Sequence, residues 1–117
     1  MQEEIKRRTK ELAMAIIRMA SDVPKSIPNN ILMQQLIRSG TSVGANYRAA
    51  CRGRSKAEFI AKMGIVEEEA DESLYWLELL ADNNNHRRER ITTISREMRE
   101  ILAITVASIK TARRSTS

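Results

Sequence analysis

The densest run of ionisable side chains in this chain is Glu67-Glu68-Glu69-Ala70-Asp71-Glu72. Carboxylates clustered on one helix can hold a divalent cation when a second helix brings further oxygens. Glu68, Glu69 and Glu72 make the Glu-Glu-x-x-Glu half of a magnesium site of the kind used in nucleotide pyrophosphate hydrolysis. The other half should be a Glu-x-x-Asp pair. Glu97 and Glu100 come without an Asp, and Glu78 and Asp82 are spaced by four on the same segment. A magnesium-dependent nucleotide pyrophosphatase is therefore a remote alternative. A di-iron bundle needs Glu-x-x-His pairs, and the single histidine, His86, has Asn83 three residues before it. Cys51 has no activating base within its segment and reads as a small packing residue. No catalytic residue and no cofactor is expected.

The cations are arranged more tellingly. At about 100° per residue, Arg38, Arg48 and Arg52 fall within an arc of roughly 80°, opposite Leu36, Val43 and Tyr47. An arginine stripe without a neutralising acid in its own segment suits phosphate. It equally suits the carboxylates Glu67–Glu69, Asp71 and Glu72, in this chain or in a neighbouring copy. Arg87-Arg88 and Arg113-Arg114 form a second candidate patch. Stacking of bases on aromatics is not expected, because Tyr47 and Phe59 belong to apolar stripes.

These side chains need helices to hold them. Ile5, Leu12, Ile16, Met19 and Val23 follow one another at seven, four, three and four, one helical face over about 3–23. Pro24 and Pro28 bracket a connector, and Asn29 and Asn30 offer N-caps for a second helix over about 30–52. Its face reads Leu32, Leu36, Gly40, Val43, Tyr47 and Ala50, and Gly40 and Gly44 suit close helix approach or a bend. Ser55-Lys56-Ala57-Glu58 is a capping box opening a third helix over about 56–82. Its stripe is Phe59, Met63, Val66, Ala70, Ser73, Leu77 and Leu80. A fourth helix over about 87–112 carries Ile91, Ile94, Met98, Ile101, Thr105, Ile109 and Ala112, then a basic tail over 113–117. Four amphipathic helices with short loops predict a single all-α domain over 1–117, an up-down antiparallel four-helix bundle. Ile65, Trp76 and Leu79 project away from the third stripe beside Glu69 and Glu72, and so suit either a subunit interface or a rotated core.

Composition agrees with this architecture. Of 117 residues, 42% are apolar and 30% charged, against 3% aromatic, four glycines and two prolines, too few for a β-sandwich or barrel. One cysteine permits no intrachain disulfide. The longest apolar run, Leu12–Ile17, cannot span a bilayer, and no signal core opens the chain, so a cytoplasmic protein without a membrane partner is expected. The net charge of +5 is unevenly distributed. Residues 1–30 carry six bases and four acids, and 31–55 four arginines and no acid. Residues 56–82 carry two bases against eight acids, and 83–117 eight bases against three.

The stretch Leu36-Ile-Arg-Ser-Gly-Thr-Ser-Val-Gly-Ala-Asn-Tyr-Arg-Ala-Ala-Cys-Arg-Gly-Arg-Ser-Lys-Ala-Glu-Phe59 resembles the bacterial four helix bundle protein family, also called the 23S ribosomal RNA intervening-sequence protein family. Lys62-Met-Gly-Ile-Val-Glu-Glu-Glu-Ala-Asp-Glu-Ser-Leu-Tyr-Trp-Leu-Glu-Leu-Leu80 and the ending Ala107-Ser-Ile-Lys-Thr-Ala112 carry the same resemblance. Where many members have a proline in the second helix, this chain has Val43-Gly44, as a subgroup does. The resemblance implies a homopentameric ring of four-helix bundles. It also implies kinship with the accessory proteins of diversity-generating retroelements, which bind a reverse transcriptase and nucleic acid. It brings no catalytic residues. Arg38, Asn46, Arg48, Arg52, Glu69 and Glu72 match the family's recurring polar positions.

The expectation is a non-enzymatic basic homo-oligomer that binds RNA or DNA electrostatically. Arg38, Arg48 and Arg52 would meet phosphate, with Arg87, Arg88, Arg113 and Arg114 as the second patch, and Ile65, Glu69, Glu72, Trp76 and Leu79 would serve assembly. The alternative is a protein-interaction module such as a reverse transcriptase accessory subunit.

Overall fold

Two serines set where the middle helices begin. Ser26 Oγ accepts the amide of Asn29 at 3.2 Å, and Ser55 Oγ accepts that of Glu58 at 3.1 Å, each meeting an N–H that a first helical turn leaves without a partner. In a computed structural model that describes residues 1–115, the chain forms α1 (Gln2–Met19), α2 (Ile27–Cys51), α3 (Lys56–Asn83) and α4 (Arg88–Arg114). A short 3-10 turn, Asn85–Arg87, leads into α4.

Three boundaries differ from the sequence expectation by more than one residue. α1 stops at Met19, and a turn through Ser21 and Asp22 carries Val23 into the core. α2 starts three residues earlier than Asn30, because Pro28 sits within its first turn, where its missing N–H costs nothing. α4 continues through Arg113 and Arg114 to its end, where cations oppose the partial negative charge of the helix terminus. Thr116 and Ser117 of the expected tail lie outside the described residues.

The expected stripes form the core. Ile16, Leu36, Met63, Leu77, Ile91 and Met98 are wholly buried, whereas Leu32 and Phe59 are only half-buried at its margin. Polar cross-links record the antiparallel order. Asn29 on α2 bonds Asn84 beyond α3, Ser39 bonds Ser73 at 2.7 Å, and Lys56 at the start of α3 donates to the Ser115 carbonyl beyond α4. α1 runs antiparallel to α2, with Ile16 against Gly40 and Thr9 against Gly44. The four helices thus form an up-down bundle measuring 51 × 21 × 18 Å.

Gly40 and Gly44 serve close approach, one of the two expected uses. A Cβ on Gly40 would sit 2.6 Å from Ile16 Cδ1, and one on Gly44 would sit 3.1 Å from Thr9 Oγ1. The seam between α1 and α4 is closed differently, by ion pairs. Arg8 donates to both oxygens of Glu97 at 2.9 and 2.8 Å and lies 3.0 Å from Glu100, and Arg90 pairs with Asp22. No helix among the described residues is long and apolar enough to cross a membrane.

Candidate nucleic-acid interface

Arg38 and Arg48 lie on α2 and Arg52 at its C-cap, and the fold separates Arg38 from the other two. Arg38 reaches across to α3, with Nη1 3.2 Å from Glu69 Oε2 and Nη2 bonded to Glu72. Trp76 Nε1 donates to the same Glu72 oxygen at 3.2 Å, so one carboxylate holds both an arginine and an indole. Glu69 is only 16% exposed, which limits the water available to screen its pairing with Arg38. Arg38 is therefore engaged within the chain by two carboxylates.

Arg48, near the end of α2, and Arg52, at its C-cap, are exposed, and neither side chain makes an ion pair or hydrogen bond among the described residues. Arg38 faces α3, where Glu69 and Glu72 meet it, whereas Arg48 lies on the side towards α1, in a groove whose lining holds no carboxylate. Asn46, between the two regions, turns back onto Ser42, donating to its carbonyl at 2.9 Å and its hydroxyl at 2.8 Å. Arg54, which sequence reasoning did not select, is also exposed and sits in the α2–α3 loop.

The second candidate patch does not assemble. Arg87 and Arg88 stand at the start of α4 and Arg113 and Arg114 at its end, about 40 Å apart along a helix rising about 1.5 Å per residue. Arg88 is held by Asp82 at 2.8 Å and Asn85 at 3.1 Å, while Arg87 is exposed. Arg113 and Arg114 are at the same end as the α2–α3 loop, because Lys56 meets Ser115 there. Arg52, Arg54, Arg113 and Arg114 thus share one basic end of the bundle. Linear separation concealed that grouping.

Ile65 is exposed and Trp76 and Leu79 are half-buried, so all three lie outside the fully buried core. Tyr75, 53% exposed, packs its ring 5.2 Å from that of Trp76 and extends this apolar edge. Glu69 and Glu72 face Arg38, which takes them out of the magnesium half-site, and Glu67, Glu68 and Asp71 lie along a groove between α3 and α4. Among the described residues no three His, Cys, Asp or Glu side chains converge on a metal position. His86 is exposed in the 3-10 turn. Burial, with Cys51 beside it, pushes the Tyr47 hydroxyl above the usual phenol range.

The chain matches the family described as 23S rRNA-intervening sequence protein over residues 1–107. It belongs to that family. A solved structure of a protein with unknown function from the S23 ribosomal protein family of Bacteroides thetaiotaomicron VPI-5482 is similar to it, at 34% identity and a TM-score of 0.84. That similarity covers 93% of this chain and 97% of the other. No curated protein matches. For this member of the 23S rRNA-intervening sequence family, the match covers α1, α2 and α3 whole and α4 as far as residue 107.

Proposed function

We propose that the protein is a non-enzymatic cytoplasmic homo-oligomer, assembled as a pentameric ring, that binds RNA or DNA through an electrostatic surface. The observation supporting this reading is the contrast within α2. Arg38 is neutralised by Glu69 and Glu72, whereas Arg48 and Arg52 project to solvent with no carboxylate partner among the described residues. Unneutralised arginines on one helix face, close to further cations at the basic end, attract a polyanion over a distance set by salt. Binding of this kind releases counterions, so affinity for a structured RNA falls steeply from about 50 to 200 mM salt. Absence of binding at low salt, or affinity indifferent to salt, contradicts the proposal.

A second reading, a protein-interaction module such as a reverse transcriptase accessory subunit, draws support from the apolar edge of α3. Exposed Ile65 and Tyr75 beside half-buried Trp76 and Leu79 are residue types that concentrate in protein interfaces. It predicts recovery of one defined protein partner after nuclease treatment. For assembly, Trp76→Glu is expected to lower the mass seen by light scattering while helical content is retained. Unchanged mass would remove Trp76 from the subunit interface.

A further inference from the structure

α1 and α2 come together at Gly40 and Gly44, and outside that contact they leave a groove. Lys10 lines it from α1 and Arg48 from α2, and the rest of the lining is Thr9, Ala13, Thr41, Gly44 and Ala45. Apart from the two cations no lining residue is larger than threonine, and no carboxylate lines the groove. The hydroxyl protons there are already used, since Thr9 donates to the Lys6 carbonyl at 3.1 Å and Thr41 to that of Ile37 at 2.7 Å. The charged donors left to a ligand are Lys10 and Arg48.

Lys10 departs from the pattern of its own helix. Lys6 pairs with Glu3, Arg7 with Glu4 and Glu11, and Arg8 with Glu97 and Glu100. Lys10 has no ion pair among the described residues, because the positions three and four away along α1 are Lys6, Arg7, Ala13 and Met14. Two like charges therefore flank a groove with nothing between them to offset their repulsion, an arrangement that an anion relieves. Arg52, the C-cap of α2, continues the series four residues beyond Arg48, about 6 Å along the axis.

We infer that this groove is the track for one phosphodiester strand, with a phosphate held between Lys10 and Arg48 and the next reaching Arg52. The inference rests on the nucleic-acid reading above and deepens it by adding Lys10 and naming the path. The small floor lets a sugar–phosphate backbone approach the helices closely, and the lack of base-reading groups makes recognition independent of sequence.

The test uses the full-length protein and a fluorescein-labelled single-stranded RNA of about 20 nucleotides, followed by fluorescence anisotropy at several salt concentrations. Lys10→Glu and Arg48→Glu are each expected to weaken binding by about tenfold at low salt, and each lost contact should flatten the salt slope by about 0.7. Ala45→Leu leaves every charge in place and introduces a good helix former at an exposed position, yet narrows the groove. It is expected to weaken binding severalfold with an unchanged melting temperature. Arg18→Ala, an exposed cation outside the groove, should have a smaller effect than any of these.

If Lys10→Glu and Ala45→Leu bind like wild type while Arg48 and Arg52 variants lose affinity, the groove is overturned and the nucleic-acid reading stands. If wild type binds no RNA even at low salt, that reading fails and the groove fails with it. If Lys10→Glu changes the mass by light scattering and leaves RNA affinity intact, the groove accepts the acidic surface of a second copy and the phosphate track is wrong.

Discussion

α2 has two halves with different bonding. Up to Ser39 it is tied to the region of α3 by polar links: Asn29 to Asn83 and Asn84, Arg38 to Glu69 and Glu72, and Ser39 to Ser73. Beyond Ser39 it holds α3 through apolar contacts such as Val43, Tyr47 and Ala50, and its polar side chains fold back on themselves or face water. The same residue type therefore performs different work on one helix. Arg38, opposite carboxylates, secures the α2–α3 pair, and Arg48, on the side towards α1 where no carboxylate lines the groove, has no ion pair among the described residues. Net charge does not distinguish the two, whereas the pairing does.

The largest way to disturb this contrast is at the Asn clasp. Asn84→Ala removes the partner of the buried Asn29 amide, whose Nδ2 then keeps only the Pro24 carbonyl at 2.9 Å. A loss of about 2 kcal/mol is expected, as for an unsatisfied buried polar group. Urea unfolding measures it, and a variant as stable as wild type would make the clasp dispensable.

pH sharpens the comparison by acting on a different seam. The Arg8 guanidinium holds the Glu97 carboxyl below its ordinary value of 4.5, chiefly through their hydrogen bonds, and Arg8 itself is raised. A carboxyl depressed in the folded state contributes stability that is present above its unfolded value and lost as pH falls through the folded one. The urea midpoint is therefore expected to drop below about pH 4.5, and Arg8→Gln should reduce that drop. An unchanged pH profile in Arg8→Gln would contradict the role given to this pair.

The smallest effect compares the halves directly. Arg38→Gln is expected to cost about 0.5–1 kcal/mol, since the guanidinium is 53% exposed and partly screened. Arg48→Gln, with no partner to lose, should stay within about 0.5 kcal/mol of wild type. Equal losses in thermal unfolding would erase the distinction between the halves.

Much of this fold was legible in the sequence because apolar spacings of three and four leave one way to bury each helix. The Ser55 cap could also be read, since its motif is local. Other features depend on which helices meet. Asn29 reads as an N-cap and Asn84 as a polar stop, yet each is buried and bonded to the other across 55 positions. Pro28 reads as an interruption until Ser26 is seen to cap the turn that contains it. Arg113 and Arg114 share an end with Arg52 and Arg54 only because the fold brings the end of α4 to the α2–α3 loop. The lack of a carboxylate three or four residues from Lys10 is local, whereas its place across a groove from Arg48 depends on how α1 meets α2.

The central claim is that Arg48 and Arg52 serve phosphate while Arg38 serves α3. Its most direct test is the salt dependence of RNA affinity for wild type, Arg38→Gln and the Arg48→Gln/Arg52→Gln pair. The account predicts that Arg38→Gln keeps the wild-type slope and the double variant flattens it by about 1.4, two contacts of about 0.7 each. The same slope in all three proteins, or a loss in Arg38→Gln matching that of the double variant, would contradict it.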